Sequence, residues 1–339
     1  MKWNAFSLTS DAINKTGKRL FPFQFWEWFK LTVISFLAAN RMRGNIGSGW
    51  GSGGGRGSGG GGGSRSLEEA KTQIREFIRN YWILGALIFS VFFLIMTIFS
   101  YIQSVFTFIL IESLVEKKSR FTFSKNSNKG FSLFLFKFVI TIITLLVLVG
   151  LAFPYVYHFM AGNPVVSSVG ISYIAFSIIA LIVYLFILWV LFLFLYDFAV
   201  PYTYVKGTSV RFSLSQIWRE IKKNPGEVFI YWLARLVFTI VVGVIAVLIA
   251  LLLLLVFALI GASIFGMGFL LYKLIGGLLF FIILGIILGV ILFIIFLFAV
   301  GMCVLPFAVF LRYFELMNFE KLTKIKLFRS GKRGLKNGK

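Results

Sequence analysis

Three cations recur along this chain in the same setting. Lys30, Lys137 and Arg235 each stand near the start of a long apolar segment: Phe29-Lys30-Leu31-Thr32-Val33-Ile34, Phe136-Lys137-Phe138-Val139-Ile140-Thr141 and Ala234-Arg235-Leu236-Val237-Phe238-Thr239. A long basic side chain one or two turns inside an apolar helix can snorkel to phosphate oxygens at the membrane surface. Two readings follow. The three residues fix helix depth independently, or they form a ring at one depth that binds anionic headgroups or an anionic solute, as in parallel-repeat transporters. A second basic set, Arg219, Lys222 and Lys223, opposes Leu214, Ile217, Trp218 and Ile221 on a short amphipathic stretch. Ser213-Leu214-Ser215-Gln216 resembles its capping box, and Asn224-Pro225-Gly226 ends it. A basic helix with an interfacial Trp suits anionic headgroups, and it also caps the inner face of a bundle.

Other chemistry is poorly supplied. His158 is the only histidine and Cys303 the only cysteine. That excludes imidazole triads, an intrachain disulfide, cluster ligation and a four-ligand metal site. No nucleophile–base arrangement, phosphate-cradling loop or cofactor motif is present, so no catalytic residue, metal or cofactor is expected. Among the acids, Glu27 pairs with Lys30 three residues on. Asp197 lies at the end of an apolar run, four residues before Pro201, at the interface rather than on a proton path.

The elements that must position these residues are transmembrane. Hydrophobic residues make up 59% of the 339 and charged residues 14%. A spanning helix needs about 20 apolar residues. Runs 81–111, 131–153, 171–196, 228–260 and 275–311 meet that length, and 20–39 is a weaker sixth interrupted by Glu27 and Lys30. The first twenty residues lack an apolar core and do not read as a cleavable signal peptide.

The runs form three similar units. Each opens on a polar phrase: Phe6-Ser7-Leu8-Thr9, Phe121-Thr122-Phe123-Ser124 or Phe212-Ser213-Leu214-Ser215. A cation-bearing helix follows, and then a second helix ending at Ser104 to Phe108, at Ala199-Val200-Pro201 or at Val304-Leu305-Pro306. The expected fold is therefore all-α, a polytopic membrane bundle of about six transmembrane helices as three two-helix repeats. Pro201 and Pro306 are expected to kink their helices near the ends.

With six spans and both termini cytoplasmic, inside segments 1–21, 112–130, 197–227 and 313–339 carry 22 Lys and Arg. Outside segments 41–80, 154–169 and 261–274 carry 8, a bias with the expected sign. A five-span alternative leaves 20–39 on the surface but exposes the basic loop 112–130. Dividing 275–311 would put the basic tail outside. The net charge of +22 fits basic cytoplasmic segments and membrane lipid as a partner better than nucleic acid.

The organisation reads as 1–40 lead-in and first span, 41–66 a Gly-rich flexible loop, 67–312 the bundle and 313–339 a basic tail. Residues 47–64 hold twelve glycines. Such a tract is a flexible coil, whether a fusion linker, an insertion without a role or a mobile binding arm. Ser66-Leu67-Glu68-Glu69 then resembles a capping box for an interfacial helix that feeds a span near Tyr81. Gly285-Ile286-Ile287-Leu288-Gly289 matches the small-xxx-small packing pattern.

The amphipathic lead-in from Phe212 to Lys223, the start Pro225-Gly226-Glu227-Val228-Phe229, and the endings Phe198-Ala199-Val200-Pro201 and Val304-Leu305-Pro306 carry a resemblance. The chain resembles uncharacterised prokaryotic multi-pass families, some archaeal, and the six-helix membrane domain fused to some glycerophosphodiester phosphodiesterases. The resemblance implies a fold and a cell-membrane location. The catalytic domain of those enzymes has no counterpart here. The function expected is a non-enzymatic membrane protein engaging anionic lipid at the cytoplasmic leaflet. The alternative is a passive transporter or channel along a pseudo-threefold axis.

Overall fold

The structure is a computed structural model that describes residues 8–38, 64–161, 170–275 and 278–328. Nine α-helices are described: α1 Leu8–Leu20, α2 Phe25–Ala38, α3 Ser64–Val115, α4 Phe123–Met160, α5 Ile171–Phe194, α6 Val200–Lys206, α7 Val210–Lys223, α8 Pro225–Ile275 and α9 Leu278–Thr323. A π-helical turn, Leu195–Ala199, joins α5 to α6. No strand is present among the described residues. Most of the Gly-rich tract, the first repeat phrase in part and the tail from 329 lie outside them.

Five helices are long and apolar enough to cross a bilayer, over Ile83–Val115, Phe123–Met160, Ile171–Lys206, Pro225–Leu270 and Phe281–Thr323. The chain is thus a multi-pass membrane protein. The sixth expected span, 20–39, appears as α2 with 14 described residues, fewer than about 20.

The five helices outrun the bilayer and divide lengthwise. In α3, Ile83 to Phe99 expose their apolar side chains, whereas Val105, Phe108, Ile109, Ile111 and Leu114 are fully buried. The exposed apolar side chains of α5 run to Trp189, and the π turn after it is buried from Leu195; those of α9 run to Leu297 around a buried Phe296, and Val304, Leu305, Val309 and Arg312 to Phe319 are buried. The packed end is C-terminal in α3, α5 and α9. It is N-terminal in α4 and α8, where Leu133, Tyr231 and Ala234 are buried. Polar groups are buried at the packed ends.

By internal contact the chain forms two compact units. The first comprises Met1–Ser52, Phe106–Asn126 and Ser215–Lys339; the second comprises Gly53–Val105 and Ser127–Leu214. In the first, α1 buries Leu8, Ala12, Thr16 and Leu20, which share one face at four-residue spacing. α2 buries Leu31, Ile34 and Ala38 and meets α9 so closely that a Cβ on Gly301 would lie 3.1 Å from Thr32 Cγ2. α8 runs antiparallel along α9, with Tyr231 stacked on Phe314 and Phe257 against Phe296. In the second unit, a Cβ on Gly130 would lie 2.7 Å from Val105 Cα, so only glycine permits this approach of α4 to α3.

Several expectations need correction. The loop placed at 261–274 is helical, because α8 runs on to Ile275. Glycine costs a helix about 1 kcal/mol, too little to break one where no water competes for the backbone. The tail placed at 313–339 starts later, since Tyr313, Phe314 and Phe319 are buried turns of α9. α7 begins at Val210, so Ser213 lies inside it and is buried, its hydroxyl donating to the Ser209 carbonyl. α3 likewise begins at Ser64, two residues before the expected cap. α9 runs on helically through Pro306. Pro201 follows the π turn, where the Val200 N–H bonds Leu195 O and re-routes the ladder ahead of the missing donor. One junction fits: the helical dihedrals of α3 break at Tyr81 (φ −117°, ψ 16°), where the span was expected to begin. Of the small-xxx-small pair, Gly285 packs under the Phe265 ring while Gly289 faces open space.

Candidate functional site

The three recurring cations meet three different environments. Lys30 is half-buried on α2. Arg235 is inside the first unit, its Nη2 3.6 Å from Glu315 Oε1, and Arg312 Nη1 donates to Glu315 Oε2 at 2.8 Å. Glu315 and Arg312 are buried, and the rings of Phe238, Phe310 and Phe314 pack beside them on the same helices. Glu315 therefore sits between two guanidiniums and fixes α8 to the last turns of α9. Lys137 belongs to the second unit. It is 6% exposed, and its Nζ lies 3.5 Å from Ser104 Oγ. No carboxylate pairs with it among the described residues. Ser104 donates its own proton to Ser100 O, so it can only accept from Lys137.

The basic helix α7 presents a different face. Its Val210, Ile217 and Ile221 are buried, while Phe212 and Trp218 are 49% and 51% exposed. Arg211, Arg219, Lys222 and Lys223 are exposed around these rings. Lys222 Nζ lies 5.6 Å from the Trp218 ring centre, and Lys223 pairs with Glu220 at 2.9 Å. Trp218, expected on the apolar face, thus sits at its open edge beside the lysines. Asp197 is fully buried within the π turn.

Sequence reasoning missed the polar core of the first unit. Glu112, near the end of α3, accepts from Thr122 Oγ1 at 2.5 Å and Asn126 Nδ2 at 2.6 Å, and pairs with Lys125. Arg19 donates to Ser119 Oγ at 2.6 Å and lies 3.4 Å from Glu27, so Glu27 pairs with α1. The Tyr313 hydroxyl donates to Leu114 O at 2.9 Å. Lys15 Nζ sits 3.5 Å above the Phe328 ring. Burial lowers the Lys15 pKa from its ordinary value, although Glu320 and Asp11 pull it upward. One signal was available: with only 12 acids in 339 residues, Glu112 and Glu315 stand out within apolar helix ends. These groups pair with one another and so act as cross-links. Among the described residues no cluster of His, Cys, Asp or Glu could hold a metal ion.

A family model described as a family of unknown function (DUF7544) matches residues 3–324, and the chain belongs to that family. The match carries no link to the glycerophosphodiester phosphodiesterases. No curated protein and no solved structure matches the chain.

Proposed function

We propose that this integral membrane protein is non-enzymatic and engages anionic lipid headgroups at the cytoplasmic leaflet of the cell membrane, with α7 as the contact. The observation that carries this is the exposed edge of α7. Two half-exposed aromatic rings are ringed by Arg211, Arg219, Lys222 and Lys223, while the opposite face is buried. Aromatic rings partition to the headgroup level, and each nearby cation adds about 1 kcal/mol toward an anionic surface. Lys30 and Lys137 are secondary contacts in this reading. Arg235, held by Glu315, contributes structure. The partner is lipid and not nucleic acid.

About six crossings, one more than the five long apolar helices, belong to this proposal. α1 touches Ser119 through Arg19, so the lead-in lies on the side of the α3–α4 connection. α3 enters from the other side. A crossing between α1 and α3 would supply the sixth span, and α2 is the described helix there. In this reading the excess of Lys and Arg puts the basic segments and both termini on the cytoplasmic side. The three-repeat arrangement belongs to the same proposal.

The test is a nitroxide on Ser215→Cys in a Cys303→Ser background. Ser215 is exposed one turn before Arg219. In nanodiscs containing phosphatidylglycerol, power saturation should place it at phosphate depth, and replacing that lipid by phosphatidylcholine should move it outward. A label equally accessible to an aqueous relaxant in both would overturn the reading.

A further inference from the structure

The second unit contains polar side chains that the α7 reading, Lys137 apart, leaves unused. On α4, Lys137, Thr141, Thr144 and Tyr155 fall at spacings of four, three and eleven, which is one helical face. On α5, Tyr173, Ser177 and Tyr184 share a face in the same way. The two faces meet. Thr144 Oγ1 and the Tyr184 hydroxyl are 2.8 Å apart, Tyr155 bonds Ser177, and the Tyr173 hydroxyl reaches Leu151 O at 3.4 Å. From Lys137 to Tyr155 the seam climbs 18 residues, about 27 Å at 1.5 Å per residue. That is close to the full hydrocarbon thickness of about 30 Å.

Helix association alone does not need this much. An interhelical hydrogen bond in a membrane is worth about 0.6 kcal/mol, and small residues pack better. The seam is also open at its edges. Thr144, Tyr155, Tyr173 and Tyr184 are only partly buried, and exposed Ile142, Leu146, Ile178 and Ile182 flank them.

The protons along it are all assigned. Each hydroxyl has one. Thr141 donates to Lys137 O and Thr144 to Ile140 O, so Tyr184 must donate to Thr144. Ser177 donates to the carbonyls of Tyr173 or Ile174, so Tyr155 must donate to Ser177. Oxygen lone pairs are left along the seam. On the described seam Lys137 has N–H donors to spare: its Nζ is buried against a hydroxyl, and no carboxylate pairs with it among the described residues. A buried ammonium without counter-charge is costly, and an anion from outside the chain would relieve it.

We propose that the α4–α5 seam is a path for phospholipid headgroups between the leaflets. The headgroup would carry its own donors, hydroxyl or ammonium, to the tyrosine oxygens, and its phosphate would rest on Lys137 at the packed end. This activity goes beyond lipid contact at α7 and, Lys137 apart, involves different residues. It also differs from conduction along an axis between repeats, because the acyl chains stay in the bilayer while the headgroup slides along the seam.

The test uses full-length protein in phosphatidylcholine–phosphatidylglycerol vesicles with a trace of acyl-chain-labelled fluorescent phosphatidylglycerol. Dithionite bleaches only outer-leaflet label. With the protein present, bleaching should proceed past the outer leaflet's share, and Lys137→Met should slow this phase about tenfold, a barrier change of about 1.4 kcal/mol. Because a seam variant can misfold, Thr144→Cys in the Cys303→Ser background is reconstituted active and then blocked in place with a bulky thiol reagent. The blocked sample should lose most of the slow phase that it had before treatment. Bleaching that stops at the outer leaflet's share in the unmodified protein overturns the proposal, as does an unchanged rate after blocking. An unchanged rate in Lys137→Met removes the phosphate from that residue. None of these outcomes moves the nitroxide depth at Ser215, so failure here is distinct from failure of the α7 reading.

Discussion

Gly130→Ala gives a prediction that the geometry allows to be worked through. The added Cβ would clash with Val105 Cγ2 and would sit 2.7 Å from Val105 Cα and 3.0 Å from Val105 Cβ. A side-chain rotation can move the first of these atoms, but the backbone carbon moves only with helix α3. Restoring ordinary van der Waals separation between carbons, about 3.5–4.0 Å, requires α3 and α4 to part by about 1 Å. Overpacking of this kind costs about 1–3 kcal/mol. The separation has a local signature. Lys137 lies seven residues after Gly130 on the same face, and Ser104 adjoins Val105; their bond is already at 3.5 Å and would open. The 2.8 Å bond between Tyr101 and Ser127, one turn the other way, would lengthen too. Val105→Ala in the same chain removes the Cγ2 clash but leaves the clash with the α3 backbone, so rescue should be partial. The assay is the temperature at which half of the detergent-solubilised protein remains monodisperse. Gly130→Ala should lower it by several degrees, and the double variant should regain less than half of that. A midpoint equal to the unmodified protein's, or full rescue by Val105→Ala, would refute close backbone packing at this position.

Two further perturbations read the polar core of the first unit. Glu315→Gln removes the carboxylate between Arg235 and Arg312 and should cost about 3–5 kcal/mol, the usual penalty for breaking a buried pair; Arg312→Met should cost less, because Glu315 keeps Arg235, and thermal midpoints would check the order. Burial lowers the Lys15 pKa, so the folded state holds that proton less tightly than the unfolded chain does. The charged form therefore costs stability at neutral pH, and the cost is relieved as pH rises through the folded value toward 10.5. Lys15→Met should raise the midpoint near pH 7.5 and lose that advantage by about pH 10.5; a gain that grows with pH would contradict the assignment.

The membrane class, the five long helices, the break at Tyr81 and the basic character of α7 were legible because each rests on local composition or period. The start of α8 at Pro225 was legible because proline favours the first helical turn. What failed was pairing. Arg312, three residues before Glu315, gave a local hint of a structural acid, but Arg235, 80 residues earlier, supplies the rest of the answer. Lys137 and Arg235 occupy matching places in sequence, yet one faces a serine and the other a glutamate. The seam residues were invisible for a related reason. Single Thr, Ser and Tyr residues in apolar runs are ordinary, and only the packing of α4 against α5 aligns them. The helical course through 261–274 was missed because glycines and one lysine read as a loop by soluble-protein habits.

The measurement closest to the central claim is lipid selectivity of the intact protein in nanodiscs of equal phosphatidylglycerol and phosphatidylcholine, read by spin-labelled lipids of each kind. The protein should hold the anionic lipid several-fold more tightly, and Arg219→Gln/Lys222→Gln/Lys223→Gln together should bring the two lipids to parity without lowering the thermal midpoint. Equal association of both lipids with the unmodified protein, or selectivity that survives the triple substitution, would contradict the assignment of α7 as the headgroup contact.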